Sequence, residues 1–317
     1  MTQSPTVLVT GARGFVGRHL VTALRGRGSR VFELMLGSEA DGSEAGDGLV
    51  GDIRQPATLV AALVTSRPDA VVHLAAASSA GASFADPTGT FETNMLGTWH
   101  LLESVRDVVP SARVLVVSTG EIYGPQPDAT PVNEDAPFRP VSPYGLSKAA
   151  ADVAAEIAAR RYGLDVIRAR PFGHIGPGQT PRFFLPSFVE QLARAESGET
   201  EPVVRVGNLK LIRDLLDVRD VVTAYLLLLE RGARGGVYNV CRGTGVRIED
   251  LAASLVRRAR VPIRIEVDPK RHRPADVPVL VGDPSRLCAA TGWTARRDLD
   301  HTLDEVLDEW RARVAAG

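Results

Sequence analysis

Thr6-Val7-Leu8-Val9-Thr10-Gly11-Ala12-Arg13-Gly14-Phe15-Val16-Gly17 is a short apolar run that stops at a glycine and carries two further glycines at three-residue intervals. Thr6–Thr10 reads as a buried strand. Phe15–Arg25 reads as a helix, because Val16, Leu20, Val21 and Leu24 share one face. Gly11, Gly14 and Gly17 occupy the turn between them. Small residues there let the main chain approach a pyrophosphate, and the helix N-terminus meets that anion with free N–H groups and a positive dipole end. Glycine also marks plain turns. Here the pattern stands at the first strand, the first turn and the start of a helix, where a dinucleotide site requires it. Gly11, Gly14, Phe15, Val16 and Gly17 are therefore predicted cofactor contacts.

Further along, apolar strands alternate with helices. Strands are expected at Arg30–Leu36, Leu49–Ile53, Ala70–Leu74, Arg113–Ser118 and Asp165–Arg170, and helices at Pro56–Ser66, Thr88–Val109 and Pro143–Tyr162. Residues 37–48 and the Pro-rich 124–143 read as loops. Strands without polar alternation, separated by helices, imply a doubly wound parallel sheet covered on both faces, an α/β Rossmann fold. After Arg170 the run PFGHIGPGQTPRFFLP suits a crossover into a smaller C-terminal lobe. The expected division is 1–172 for the dinucleotide-binding domain, with parts of 215–240 returning to it, and 173–317 for a mainly substrate-binding lobe. A helix at Val218–Arg231, a strand at Gly236–Val240 and a helix at Ile248–Ala259 are expected within that second half.

The chain has 317 residues and a formal net charge of −1, so its overall field implies no nucleic-acid partner. Cys241 and Cys288 have no metal-ligand spacing and the histidines do not cluster, so no metal site is predicted. The N-terminal segment lacks the features of a signal peptide, and Ala224–Leu229 is too short to span a bilayer. These features predict a reduced, cytoplasmic protein.

Two groups address cofactor and chemistry. At the end of the second strand, where an acid would bond the ribose of NAD, alternation places Met35. Glu33 takes that place only if the turn is shifted, and Arg13 is placed to meet a ribose phosphate. This favours NADP(H), with NAD(H) as the alternative. Ser142-Pro143-Tyr144-Gly145-Leu146-Ser147-Lys148 opens a helix in which Tyr144 and Lys148 lie one turn apart on one face. A lysine ammonium beside a phenol favours its ionised form and makes it a better proton donor and acceptor. The chain's lysines are Lys148, Lys210 and Lys270, so one in this place is informative. Ser118 and Thr119, at the C-terminal edge of a parallel strand, face the ligand crevice. Thr119 is placed to polarise a substrate oxygen, and Glu121 to act as a base or to bond substrate.

In this order, the TGxxGxxG turn, His73-Leu74-Ala75-Ala76, the Ser118–Gly124 segment and the Tyr–Lys pair make the chain resemble the extended short-chain dehydrogenases/reductases, the epimerase/dehydratase family, over nearly its full length. Gly51-Asp52-Ile53 matches that family's adenine-contacting stretch, and Asn94-Met95-Leu96-Gly97-Thr98 its central-helix segment. Arg213-Asp214 with Asp217-Val218-Arg219-Asp220, and Arg273-Pro274, match blocks that bind substrate, the second through its diphosphate. His174–Gln179, Val206–Leu209 with Asn208, and Tyr238–Cys241 look most like GDP-6-deoxy-D-mannose reductases. The resemblance implies a nicotinamide-dependent enzyme that reduces a 4-keto-6-deoxy sugar nucleotide. Tyr144 would give the proton, Thr119 bond the ketone oxygen, and Lys148 position the ribose. Asp52, Ile53, Leu74, Ala75, Ala76 and Asn94 would contact cofactor, and Ser118, Glu121, His174, Asn208, Arg213 and Arg273 substrate. It also implies a homodimer through helices 88–109 and 143–162. Two departures stand out: Phe172-Gly173 replaces Phe-Asn, and Gly120 stands between Thr119 and Glu121, where dehydratases carry Asp or Ser. The alternatives are a 4,6-dehydratase, a 4-epimerase and, from another class, a non-catalytic dinucleotide sensor.

Overall fold

The computed structural model describes residues 4–37, 47–125, 130–271 and 276–316. The first half runs β1 (Thr6–Thr10), α1 (Phe15–Gly26), β2 (Arg30–Met35), β3 (Gly48–Val50), α2 (Pro56–Ser66), β4 (Ala70–His73), α3 (Ala80–Ser83), α4 (Pro87–Phe91), a π-helical turn (Glu92–Leu96), α5 (Gly97–Val108), β5 (Arg113–Val117), α6 (Pro143–Arg161) and β6 (Asp165–Pro171). The second half runs β7 (Gly173–Ile175), α7 (Phe184–Glu196), β8 (Val203–Val206), β9 (Ile212–Asp217), α8 (Val218–Arg231), β10 (Val237–Val240), β11 (Gly245–Arg247), α9 (Ile248–Arg257), β12 (Arg264–Val267), β13 (Val279–Leu280), α10 (Ser285–Thr291) and α11 (Leu299–Ala315).

The main sheet has seven strands in the order β10-β6-β5-β4-β1-β2-β3, every pair parallel. Most strand positions are apolar on both faces because both are covered; β6 also carries Arg168 and Arg170, buried against Asp152 of α6. Leu20, Val21 and Leu24 of α1 and Val221, Tyr225 and Leu228 of α8 pack on one side. Leu59 and Leu63 of α2, Leu101 and Val105 of α5, and Ala155 and Ala158 of α6 pack on the other. The chain leaves β1 toward β2 and β3, then returns on the opposite side to β4. That reversal opens a crevice at the C-terminal ends of β1 and β4.

The second lobe centres on β9, which pairs with β7 and β13 in parallel and with β11 antiparallel. Helices α7, α9 and α11 enclose its own core around Phe188, Leu192, Leu255 and Trp310. Asp214 ties this lobe together: its carboxylate accepts from the backbone N–H of Arg242 (2.7 Å) and Gly243 (2.9 Å).

The single helix expected over 88–109 is interrupted. Between α4 and α5 the chain makes a π turn. In that turn the Asn94 amide bonds both backbone groups of Ala77 (2.8 and 3.1 Å) and the Ser147 hydroxyl (2.9 Å). The extra residue rotates the helix, so Asn94, Gly97, Thr98 and Leu101 are buried while Phe91, Met95 and Trp99 are only partly covered. The third strand ends at Val50, before Asp52 and Ile53, which lie in the turn that follows it. Most of the loop expected over 37–48 lies outside the described residues.

Candidate active site

A cavity of roughly 660 Å³ opens at the C-terminal ends of β1, β4 and β5 and runs toward the second lobe. At one end lies the turn from β1 to α1. Gly11 has φ +67°, and a Cβ there would fall 2.7 Å from the Ala75 nitrogen, so the turn closes only with glycine. Below it His73 is buried, with Nδ1 2.8 Å from the Thr10 hydroxyl and Nε2 3.0 Å from the Thr98 hydroxyl. Burial, with the nearby Lys148 charge, depresses His73 to about 3 and keeps it neutral. The Thr10 hydroxyl in turn accepts from the Ala75 N–H (3.2 Å), which fixes the loop after β4 against the glycine turn.

Midway along the cavity, Ser142 caps α6, its hydroxyl accepting from the Gly145 N–H at 3.0 Å, and Pro143 occupies the first turn. This start projects Tyr144 and Lys148 onto the cavity wall beside Thr119. The Tyr144 N–H donates to the Ser83 hydroxyl (3.1 Å), and its phenol is bonded to the Thr119 side chain. Lys148 donates to the Val117 carbonyl. The electrostatics differ from the sequence expectation. Burial and the Glu121 carboxylate push the Tyr144 phenol above its ordinary value, and Thr119 opposes them only in part. Lys148 is turned to the main chain of β5, and burial lowers it to about 8. The phenol is thus held protonated.

Around the ketone position expected from the sequence, the space is shaped by Phe172. A Cβ on Gly120 would stand 3.0 Å from three atoms of that ring, and one on Gly173 would stand 2.7 Å from the Leu215 side chain. The departures at 120 and 173 are therefore built into the packing. His174 stacks on Phe15 (centroids 5.9 Å apart), its Nδ1 3.0 Å from the Phe172 carbonyl oxygen. Gln179 Nε2 donates to the His174 carbonyl (3.3 Å).

A family model described as GDP-mannose 4,6 dehydratase matches residues 8–306. The chain belongs to that family. It is one of the extended short-chain dehydrogenases/reductases, a family of NAD(P)-dependent sugar-nucleotide enzymes. It is 36% identical over 309 residues to a GDP-6-deoxy-D-mannose reductase of Pseudomonas aeruginosa, covering 97% of this chain and 98% of that one. Its fold superposes with TM-score 0.86 on RMD from Pseudomonas aeruginosa complexed with NADPH, at 34% identity over 97% of this chain and 99% of the other. The UDP-glucose 4-epimerase of Thermus thermophilus complexed with NAD gives TM-score 0.86 at 30% identity, over 96% and 98% of the two chains.

Within this family frame, Gly11, Gly14, Phe15, Val16, Gly17, Asp52, Ile53, Leu74, Ala75, Ala76, Ser118, Thr119, Glu121, Tyr144, Lys148, His174 and Arg213 all line the one cavity. Arg13 does not. Its Nε lies 3.1 Å from the Met35 sulfur and 3.7 Å from Glu33, which also pairs with Arg25 at 2.7 Å. Asn94 stands behind the wall, its amide spent on Ala77 and Ser147. Asn208 is also away from it, bonded to Asp276 (3.4 Å) and to the Lys210 N–H (2.9 Å), so it shapes the loop between β8 and β9. Arg273 lies outside the described residues. Sequence reasoning gave no site role to Arg54, Gln179 or Tyr225, which also line the cavity, although Gln179 closes the His174–Gln179 stretch. Arg54 follows the Asp52-Ile53 match directly and pairs with Asp52. Among the described residues no helix is long and apolar enough to cross a membrane, and no group of His, Cys, Asp and Glu could hold a metal.

Proposed function

We propose that this protein reduces the C4 ketone of a nucleotide-linked 4-keto-6-deoxy sugar, with GDP-4-keto-6-deoxymannose as the substrate to try first. The observation that carries this reading is the pairing of a protonated, buried Tyr144 with the Thr119 hydroxyl, beside a Gly120 whose side-chain space is filled by Phe172. Elimination of water from a sugar needs both a base for the carbon proton and an acid for the departing hydroxyl. Glu121 offers one carboxylate, but residue 120 offers none. Ketone reduction needs only one proton donor.

The glycine turn, the N-terminus of α1 and the Lys148 ammonium suit a nicotinamide dinucleotide. When bound in reduced form, that cofactor would supply a hydride to the ketone carbon. Thr119 and Tyr144 hold the ketone oxygen, and the Tyr144 proton passes to it as negative charge builds there. The product is the C4 alcohol. Lys148, fixed by the Val117 carbonyl, holds the ribose and offsets charge on the phenolate left behind. Arg213 on the second-lobe side of the cavity, and Arg273, would fork onto the substrate diphosphate.

NADPH is favoured over NADH. The carboxylate of Glu33 is engaged by Arg25 and Arg13, while Leu34 and Leu36 face the cavity at the end of β2. That end therefore presents apolar side chains where a ribose diol would want an acid, and the Arg54 guanidinium lines the same cavity. In the proposed assembly two copies pair through α4–α5 and α6. Leu96, Leu146, Val153 and Ile157 are large apolar side chains left exposed on these helices. A cytoplasmic location accords with this cofactor and substrate.

The test is to mix the enzyme with GDP-4-keto-6-deoxymannose and either NADPH or NADH and follow the nicotinamide absorbance. Stoichiometric loss, faster with NADPH, is expected. Turnover of GDP-mannose with no net loss of cofactor would replace this reading by the dehydratase one.

A further inference from the structure

Tyr225 lies in the middle of α8, fully buried at 0% exposure, and its hydroxyl has no hydrogen-bond partner. A buried hydroxyl without a partner calls for an explanation, since nearly all such groups are satisfied. The residue lines the cavity that holds Tyr144 and Lys148. Burial first, and the nearby Tyr144 phenol second, push Tyr225 above its ordinary value, so it stays protonated and available as a donor. A second orphan opens to the same cavity: Oε1 of Gln179 is buried and unpartnered, while Nε2 is committed to the His174 carbonyl.

Both side chains line that one cavity. Gln179 hangs from His174, and His174 stacks on Phe15, the first residue of α1. The loop between them packs back on α8: a Cβ on Gly176 would fall 2.6 Å from Val218 and 3.7 Å from the Phe15 ring. Val218 opens α8, and Tyr225 lies two turns further along the same face. Gln179 thus enters the cavity beside Phe15 at the glycine turn and Tyr225 enters it on the Tyr144 side, with the space between them beyond that turn. With the diphosphate on that turn and the ribose on Lys148, this is where the nicotinamide end of the cofactor falls.

One acceptor and one donor on side chains that line one cavity are complementary to a primary carboxamide, which has an N–H to give and a carbonyl to receive. We infer that Gln179 and Tyr225 clamp the nicotinamide carboxamide. Gln179 Oε1 accepts from the carboxamide N–H, and the Tyr225 hydroxyl donates to the carboxamide oxygen. The clamp would fix the rotation of the ring about its glycosidic bond and so choose which face delivers the hydride. The inference rests on the nicotinamide-cofactor reading above.

The test uses the full chain and two ligands: NADPH, and the same molecule lacking nicotinamide (phosphorylated ADP-ribose), each titrated by calorimetry. Tyr225→Phe and Gln179→Met should each weaken NADPH by about three- to tenfold, the worth of one neutral hydrogen bond. Both should leave the nicotinamide-free fragment bound as in wild type. If each variant weakens the two ligands equally, or neither, the clamp is refuted. If Tyr225→Phe does not fold, Gln179→Met alone carries the same comparison. A wild-type protein that binds neither ligand would refute the cofactor reading, and the clamp with it.

Discussion

The Phe172 ring lies directly against Gly120, three of its atoms 3.0 Å from the place a Cβ would take. Phe172 is itself buried among Tyr123, Cys241 and Leu280, so it has little room to withdraw. Gly120→Ser should therefore overpack the site and destabilise the protein by about 1–3 kcal/mol. Thermal unfolding would measure this, and adding Phe172→Leu should return part of the loss. A Gly120→Ser protein that melts with wild type would mean the ring moves freely.

The bond between the Tyr144 phenol and Thr119 gives a second expectation. Tyr144→Phe removes the proton donor but keeps the ring and its packing. The expected result is a fall in kcat of about 10²–10⁴-fold, the usual worth of general acid catalysis. Fluorescence titration should show cofactor affinity within a few-fold of wild type. Wild-type turnover by this variant would remove Tyr144 from the chemistry.

How far the sequence could be read depends on the part of the chain. The inner strands β1, β4 and β5 are nearly continuous apolar runs, and Val218–Arg231 is a helix with those same limits in the structure. The spacing of Tyr144 and Lys148 placed both on one cavity wall, because helical period fixes direction. What each side chain then bonds was not legible. Lys148 turns to the Val117 carbonyl, which no local pattern announces. The π turn was also invisible, since one extra residue leaves composition unchanged while burying the polar Asn94 and Thr98 and leaving Phe91 and Met95 partly covered. Beyond Arg170 the strands are short and pair across long gaps: β7, β11 and β13 all join β9 from different parts of the chain. Helix α11 was overlooked although Leu303, Val306, Leu307 and Trp310 recur at helical spacing. Tyr225 was hidden in a run read only for its hydrophobicity, where a single hydroxyl carries no weight.

His73 links the glycine turn to α5 through Thr10 and Thr98, and burial holds it neutral, at about 3 instead of 6.5. The unfolded chain binds a proton below about 6.5 that the folded one refuses until about 3, so this residue makes stability fall as pH drops through that window. His73→Gln keeps a donor and an acceptor but cannot titrate. It should flatten the acid side of the melting-temperature profile between pH 6.5 and 3 relative to wild type. Parallel profiles for the two proteins would show that His73 is protonated in the folded state.

Lys148 poses the opposite trade between stability and activity. Burial lowers it from 10.5 to about 8, so at neutral pH the folded protein keeps a charge in a place that disfavours it. The folded value lies below the unfolded one. The penalty is therefore complete below about pH 8 and is relieved as pH rises toward 10.5. Replacing the ammonium with an apolar chain of similar length, Lys148→Met, should raise the melting temperature of the cofactor-free protein at pH 7. It should also weaken cofactor binding and cut kcat/KM. In the wild type, loss of the Lys148 proton should give kcat/KM a descending limb near pH 8, which Lys148→Met would lack. Melting curves and a pH–rate profile read the two effects separately. A Lys148→Met protein that is both less stable and still shows the limb would mean that the charge is well solvated, and that another group titrates there.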